Sequence, residues 1–260
     1  GKGIELQSIF FKKLGLRIPD ISWISSRDSQ AEFIQLLSMI SSTFDKIGHE
    51  VYTLQRPEIN ELNEIIKKDA IGSITMPHKS NPELSEHLGT LARLIRHNTN
   101  CLNENLVHEH ERDGRSWKSE WGLIGPTCVM AGAQLQLGYA LCSTLKVNSE
   151  NMIKNIESTN GHIYSEGVML SLAGKIGKQT AHDLMCEISK SANKKSRSLK
   201  SCLVNNEMVM KHLTINDIDG IFDYKKQLGL CPEFVDRVVQ LSHKSREGDK
   251  SFFKDYFPNE

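Results

Sequence analysis

A chain of 260 residues, 38% hydrophobic and 25% charged, is long enough for one large domain or two ordinary ones and has the composition of a globular protein. Its 32 Lys and Arg balance 32 Asp and Glu, a net charge of zero, which excludes a general binder of nucleic acid or anionic membrane, because either needs a basic excess to neutralise phosphate. No apolar run approaches the roughly 20 residues that span a bilayer, and Cys101, Cys128, Cys142, Cys186, Cys202 and Cys231 are scattered without a C-x-x-C pair, as free thiols in a reducing cytoplasm would be rather than a zinc site.

The chain opens Gly-Lys-Gly, without an initiator Met or signal peptide, and runs straight into an amphipathic segment, as a processed product or a fragment would. From Ser29 to Leu54 the apolar residues Phe33, Leu37, Ile40, Phe44, Ile47, Val51 and Leu54 alternate spacings of 4 and 3. That heptad pattern places them on one face of a long helix, and Ile34, Leu36 and Met39 widen the stripe. A long helix buried on more than one side suits the interior of a multi-helix bundle.

The segment from Gly72 to Pro82, with its Gly, Pro, Ser and Asn, reads as a loop. A second long helix is predicted from Pro82 to His108, carrying Leu88, Leu91, Ile95, Leu102 and Leu106, with Pro82 in the first turn where its missing N–H costs nothing. Asp113 to Gly125 is polar and Trp-containing and reads as irregular. A third helix is predicted after Pro126, carrying Met130, Leu135, Leu137, Leu141 and Leu145. Period-2 alternation is almost wanting, so strands are not expected. Beyond Ile156 the pattern shortens, with Gly161, Gly174, Gly177 and Gly220 between shorter helices, and a tail from Ser242 to Glu260, charged and then aromatic, is expected to wrap onto the body. The expectation is an all-α chain: a long-helix bundle domain over residues 1–156, then a smaller helical C-terminal domain over 157–260.

The most informative stretch is Gly72-Ser73-Ile74-Thr75-Met76-Pro77-His78-Lys79-Ser80-Asn81. Gly72 tolerates backbone angles closed to other residues and suits a hinge. Ser73 is a candidate base or nucleophile, but a free serine hydroxyl is too weakly acidic to be either without nearby positive charge and N–H donors. Lys79 supplies such a charge and Asn81 amide donors; together they could hold a substrate carboxylate and stabilise the dianion left when its α-proton departs. Thr75, Met76 and His78, in the same loop, are candidate substrate contacts. Glu86 follows Asn81 by five residues, on the predicted helix.

This decapeptide fits G-S-x-x-M-x-x-K-x-N at every fixed position and so resembles the signature of the fumarase/aspartase superfamily of lyases. The resemblance implies that Ser73 removes the proton next to a carboxylate, that Lys79 and Asn81 bind that carboxylate, and that the aci-carboxylate collapses by expelling the group on the adjacent carbon. It gives Glu86 the task of orienting a catalytic histidine, fixing its tautomer; the alternative is a solvated helix glutamate. In the family that histidine lies well upstream of the serine loop, and none of this chain's ten histidines stands in the family's upstream motifs. The chain as given is therefore expected to begin after the family's N-terminal third and to lack the general acid. The resemblance further implies a homotetramer whose active sites draw on three subunits, a small carboxylate substrate, and no metal or organic cofactor.

Trp23-Ile24-Ser25-Ser26-Arg27-Asp28, followed by Ala31-Glu32-Phe33, resembles a region shared by adenylosuccinate lyases and 3-carboxy-cis,cis-muconate cycloisomerases, with Ser26 where both usually carry Gln. Arg27 is a candidate anion ligand there or, alternatively, the cation of a surface salt bridge with Asp28 or Glu32. Leu54-Gln55-Arg56-Pro57-Glu58, Gln227-Leu228-Gly229 and Phe234-Val235-Asp236-Arg237 carry the same likeness. His110-Glu111-Arg112-Asp113 begins as in adenylosuccinate lyase, but the serine-rich run that should close in Glu-Arg reads Gly114-Arg115-Ser116-Trp117-Lys118-Ser119-Glu120-Trp121, which resembles the cycloisomerases. Without that closing arginine, nucleotide binding is expected to weaken by about 1.5–3 kcal/mol, unless Arg115 or Lys118 compensates. The leading expectation is a lyase or cycloisomerase of the carboxymuconate type; adenylosuccinate lyase and a catalytically silent fragment or scaffold are the alternatives.

Overall fold

The computed structural model describes residues 1–65, 81–194 and 196–256. Their regular structure is helical except for one two-residue antiparallel pairing, β1 (Leu62–Asn63) with β2 (Lys146–Val147), in which Leu62 faces Val147 and Asn63 faces Lys146. The chain divides into two compact units, Gly1–Met152 and Ile153–Glu260.

In the first unit α1 (Gly3–Leu14) precedes three long helices, α2 (Asp28–Leu54), α3 (Glu83–Asn103) and α4 (Gly114–Thr144), which pack on one another. The heptad stripe of α2 is not its most deeply buried face. The inward residues are Ala31, Ile34, Ser38, Ser41, Gly48 and Val51, whereas Phe33 and Ile40 are 46% and 38% exposed. Small residues face inward because the helices approach closely: a Cβ on Gly48 would stand 3.1 Å from both the Leu88 Cβ and the Ser85 carbonyl oxygen. The larger side chains of the stripe turn to the flanks, and Val51, Leu88 and Leu141 form the apolar centre, with Phe44, Ile47 and Leu137 against it.

α4 corrects the reading of residues 113–125. That stretch is helical, and Pro126 lies inside a 31-residue helix rather than at its start. Asp113 caps the helix by accepting the Arg115 N–H. The proline, having no N–H, leaves the Gly122 carbonyl without its helical donor. The buried face of α4 runs through Ser116, Glu120, Thr127, Ala131, Gln134, Gly138 and Leu141, small or polar for most of its length, so a hydrophobic pattern could not reveal it. Gln134 stitches the three helices: its Nε2 donates to the Ser41 carbonyl on α2 at 3.2 Å and the Leu88 carbonyl on α3 at 2.8 Å. A Cβ at Gly138 would collide with the Phe44 ring. Gly138→Ala is accordingly expected to lower stability by about 1–3 kcal/mol, the scale of overpacking, read as a fall in the denaturant midpoint at constant m-value.

α5 (Ser149–Ser158) contains the boundary between the units. The second unit holds α6 (Ser165–Ile176), α7 (Lys178–Lys194), α8 (Leu199–Val204), α9 (Glu207–Met210), α10 (Ile215–Ile221), α11 (Tyr224–Gln227) and α12 (Cys231–Tyr256). Its own core gathers Val168, Leu172, Met185, Ile188, Leu199, Leu203, Val209 and Ile218. The starts of α8, α9, α10 and α11 are capped by Ser198, Asn206, Thr214 and Asp223, with Asp217 completing a capping box at Thr214. Gly161 and Gly177 sit between helices at φ of 84° and 85°, whereas Gly174 and Gly220 lie inside α6 and α10 and separate nothing. The tail from Ser242 onward continues α12 as far as Tyr256.

Candidate functional site

The expected site falls into two parts. Gly72, Ser73, Thr75, Met76, His78 and Lys79 lie outside the described residues. Asn81 and Glu86, which follow them, are described and bracket the start of α3: the Asn81 carbonyl accepts the Glu83 N–H at 3.0 Å, and Glu86 N–H donates to the Pro82 carbonyl at 3.0 Å. Glu86 is exposed, beside the buried Ser85, and lines a cleft of about 450 Å³ with His49, Tyr52, Gly89 and Arg93. A carboxylate standing free on the first turn of a helix is well placed to meet an imidazole brought from elsewhere.

α3 begins without a local cap, since Pro82 has neither a capping side chain nor an N–H. Glu64 takes that place from 20 residues away. Its carboxylate, 8% exposed, accepts the Leu84 N–H at 3.0 Å, the Ser85 N–H at 2.8 Å and the Ser85 hydroxyl at 2.6 Å, while its own N–H donates to Gln55 Oε1 at 2.8 Å. Sequence reasoning missed Glu64, because nothing in its local pattern shows which helix it serves.

At the start of α4 two arginines, Arg27 and Arg115, are already paired with carboxylates. Arg27 is buried, and its Nε and Nη2 donate to the two oxygens of Glu120 at 2.7 and 2.5 Å while Nη1 donates to the Ile24 carbonyl at 3.2 Å. Neither the surface salt bridge with Asp28 or Glu32 nor an open anion site is formed; Ser26 instead donates to Asp28 at 2.7 Å. The reason is that Arg27, at the N-cap position of α2, is buried against α4, where a guanidinium removed from water needs a carboxylate as counter-charge. Arg115 Nη2 meets Asp113 at 2.8 Å and Glu109 at 3.1 Å, and its Nε donates to Asp113 at 3.1 Å. Arg112 lies over the Trp117 ring at 4.5 Å, and Trp117 stands 6.4 Å from Trp121, which is 71% exposed.

The Arg115 side-chain and backbone N–H donors hold the Asp113 carboxyl far below the usual carboxylate range, and Asp113 and then Glu109 hold Arg115 above its own. A carboxyl lowered on folding lends stability that is complete above its unfolded pKa, about 4, and is lost as pH falls from there toward the folded value. Asp113→Asn, which can still cap α4, is therefore expected to lose less stability than the parent as pH is lowered from about 4, with a constant difference between the two above pH 5; thermal midpoints across that range check it. Among the described residues no group of three or more His, Cys, Asp or Glu is arranged to hold a metal ion, and no helix is long and apolar enough to cross a membrane.

Comparison with known proteins agrees with this architecture. Residues 5–96 match a family model described as Lyase and residues 161–238 one described as Adenylosuccinate lyase C-terminus. Among curated proteins, the N-acetyl-S-(2-succino)cysteine lyase of Dickeya dadantii is 37% identical over 92% of this chain and 53% of its own length. The adenylosuccinate lyase of Methanocaldococcus jannaschii is 36% identical over 92% of this chain and 52% of its own. The solved 3-carboxy-cis,cis-muconate lactonizing enzyme of Pseudomonas putida superposes with a TM-score of 0.81 at 26% identity, over 92% of this chain and 52% of that one. In fold and sequence the chain is thus similar to lyases of the fumarase/aspartase superfamily. Its likeness there is to the C-terminal portion of the branch that holds adenylosuccinate lyases and carboxymuconate cycloisomerases, and it spans about half the length of the curated relatives it matches.

Proposed function

We propose that this chain supplies the serine loop and the carboxylate-binding residues of a lyase or cycloisomerase that acts on a succinyl-type carboxylate without a phosphate group. Ser73 takes the proton next to the carboxylate, Lys79 and Asn81 hold the resulting dianion, and the bond to the leaving group on the adjacent carbon breaks as the double bond forms. The leaving group accepts a proton from a histidine that Glu86 orients. Residues 1–156 form the central bundle domain and 157–260 the C-terminal domain in this reading. A homotetramer suits the first unit, because Phe33, Met39, Val129 and Tyr139 stand 46%, 62%, 73% and 76% exposed on helices of an otherwise packed bundle.

The observation that favours a substrate without phosphate is the neutralisation of Arg115 by Asp113 and Glu109, together with an exposed Trp121 at the position where the resemblance expects a phosphate-binding arginine. A phosphate approaching that guanidinium would meet two carboxylates that already offset its charge. The thioether cleaved by the relative from Dickeya dadantii, an N-acetyl-S-(2-succino)cysteine, fits this description, as does carboxymuconate. The test is turnover by the full-length protein of N-acetyl-S-(2-succino)cysteine, carboxymuconate and adenylosuccinate, followed by absorbance. Turnover of either of the first two supports the reading. Preference for adenylosuccinate, or tight saturable AMP binding, overturns its substrate class, and silence on all three favours a scaffold.

A further inference from the structure

We infer that Glu64 is a positioning residue for the site: its buried carboxylate sets the start of α3, and through it the placement of Asn81 and Glu86. The catalytic consequence rests on the proposed function; the geometry does not. Four N–H groups at a helix start have no partner within the helix, and the N-terminus carries partial positive charge, so an anion is favoured there. At α3 the residue that should cap is Pro82, and the acceptors come from Glu64 instead, through three hydrogen bonds of 2.6–3.0 Å to Leu84 and Ser85. Glu64 is itself anchored by Gln55, the residue that ends α2. One carboxylate thus joins the end of α2 to the start of α3 and lies on the N-terminal side of the serine loop, while its partners lie just beyond the loop's other end.

The consequence for Glu86 follows from helix register. Ser85 is 4% exposed and held by both its N–H and its hydroxyl, so rotation of the first turn is blocked, and the next residue, Glu86, must project into the cleft it shares with His49 and Arg93. Burial makes the clamp specific: a carboxylate shielded from water keeps its partners only where all of them are in place. Glutamine at position 64 matches the shape but offers one acceptor oxygen and sets an NH2 group against N–H donors.

The experiment is amide hydrogen exchange of the full-length protein by NMR, in Glu64→Gln and in Ser85→Ala, which removes only the hydroxyl contact and keeps a good helix former. In E64Q the amides of Leu84, Ser85 and Glu86 should exchange roughly tenfold faster or more, the effect of losing a charged acceptor, with Ala131 and Leu141 on α4 unchanged. S85A should show the same pattern, weaker. Unchanged exchange at Leu84 and Ser85 in both variants overturns the inference, and so does uniform acceleration that includes α4, which is general loosening. With a substrate that the parent turns over, E64Q should lower kcat about tenfold with KM within about twofold. Parental kcat in a variant whose helix start has loosened overturns the positioning role. If the parent turns over nothing, the proposed function falls, and the exchange result alone decides the clamp.

Discussion

Replacing Ser73 by alanine in the full-length protein is expected to lower turnover of its succinyl-type substrate by roughly 10²–10⁴-fold, the range a positioned base contributes. The change removes one oxygen from a loop residue, so helicity and assembly should stay as they are, and circular dichroism and light scattering provide the control. Near-parental turnover would remove Ser73 from its assigned role and with it the proton-abstraction step. The expectation draws on the signature rather than on geometry, since Ser73 lies outside the described residues. The described neighbours are consistent with it: Asn81 lies just before α3 and Glu86 is exposed beside a cleft.

The largest effect on stability is expected from Glu120→Ala. Arg27 and Glu120 are 6% and 8% exposed at the side chain and meet through two parallel hydrogen bonds, so truncating the glutamate strands a buried guanidinium. Breaking such a pair from one side costs about 3–5 kcal/mol, while replacing both partners by apolar residues of similar volume is often neutral or stabilising. The double variant Arg27→Met with Glu120→Leu should therefore recover most of what E120A loses. Urea unfolding of the single and double variants checks this. Additive losses would mean that the pair is not the unit that holds the start of α2 to α4. The measurement also bears on function, because an Arg27 committed to Glu120 is not available to a substrate anion.

The sequence by itself determined the all-α class, the three long helices in outline and the decapeptide that matches the lyase signature. Each of these is a local property: a 3.5-residue apolar spacing, a proline at a helix start, fixed residue types in one loop. Which face of α2 turns inward was not local. Phe33 and Ile40 belong to the stronger pattern, yet Ser38, Ser41 and Gly48 face the neighbours, because only short side chains let the helices approach. For the same reason 113–125 looked irregular: its inward residues are serine and glutamate rather than leucine, and Pro126 hid the continuity of the helix. The roles of Arg27, Glu64 and Arg115 depended on which carboxylate or N–H lies opposite, and partners 93 residues apart for Arg27 and 20 or 21 for Glu64 leave no trace in spacing. Burial makes such pairings decisive, since a charge removed from water must find its counterpart wherever the fold brings one near, and that proximity is a property of packing alone.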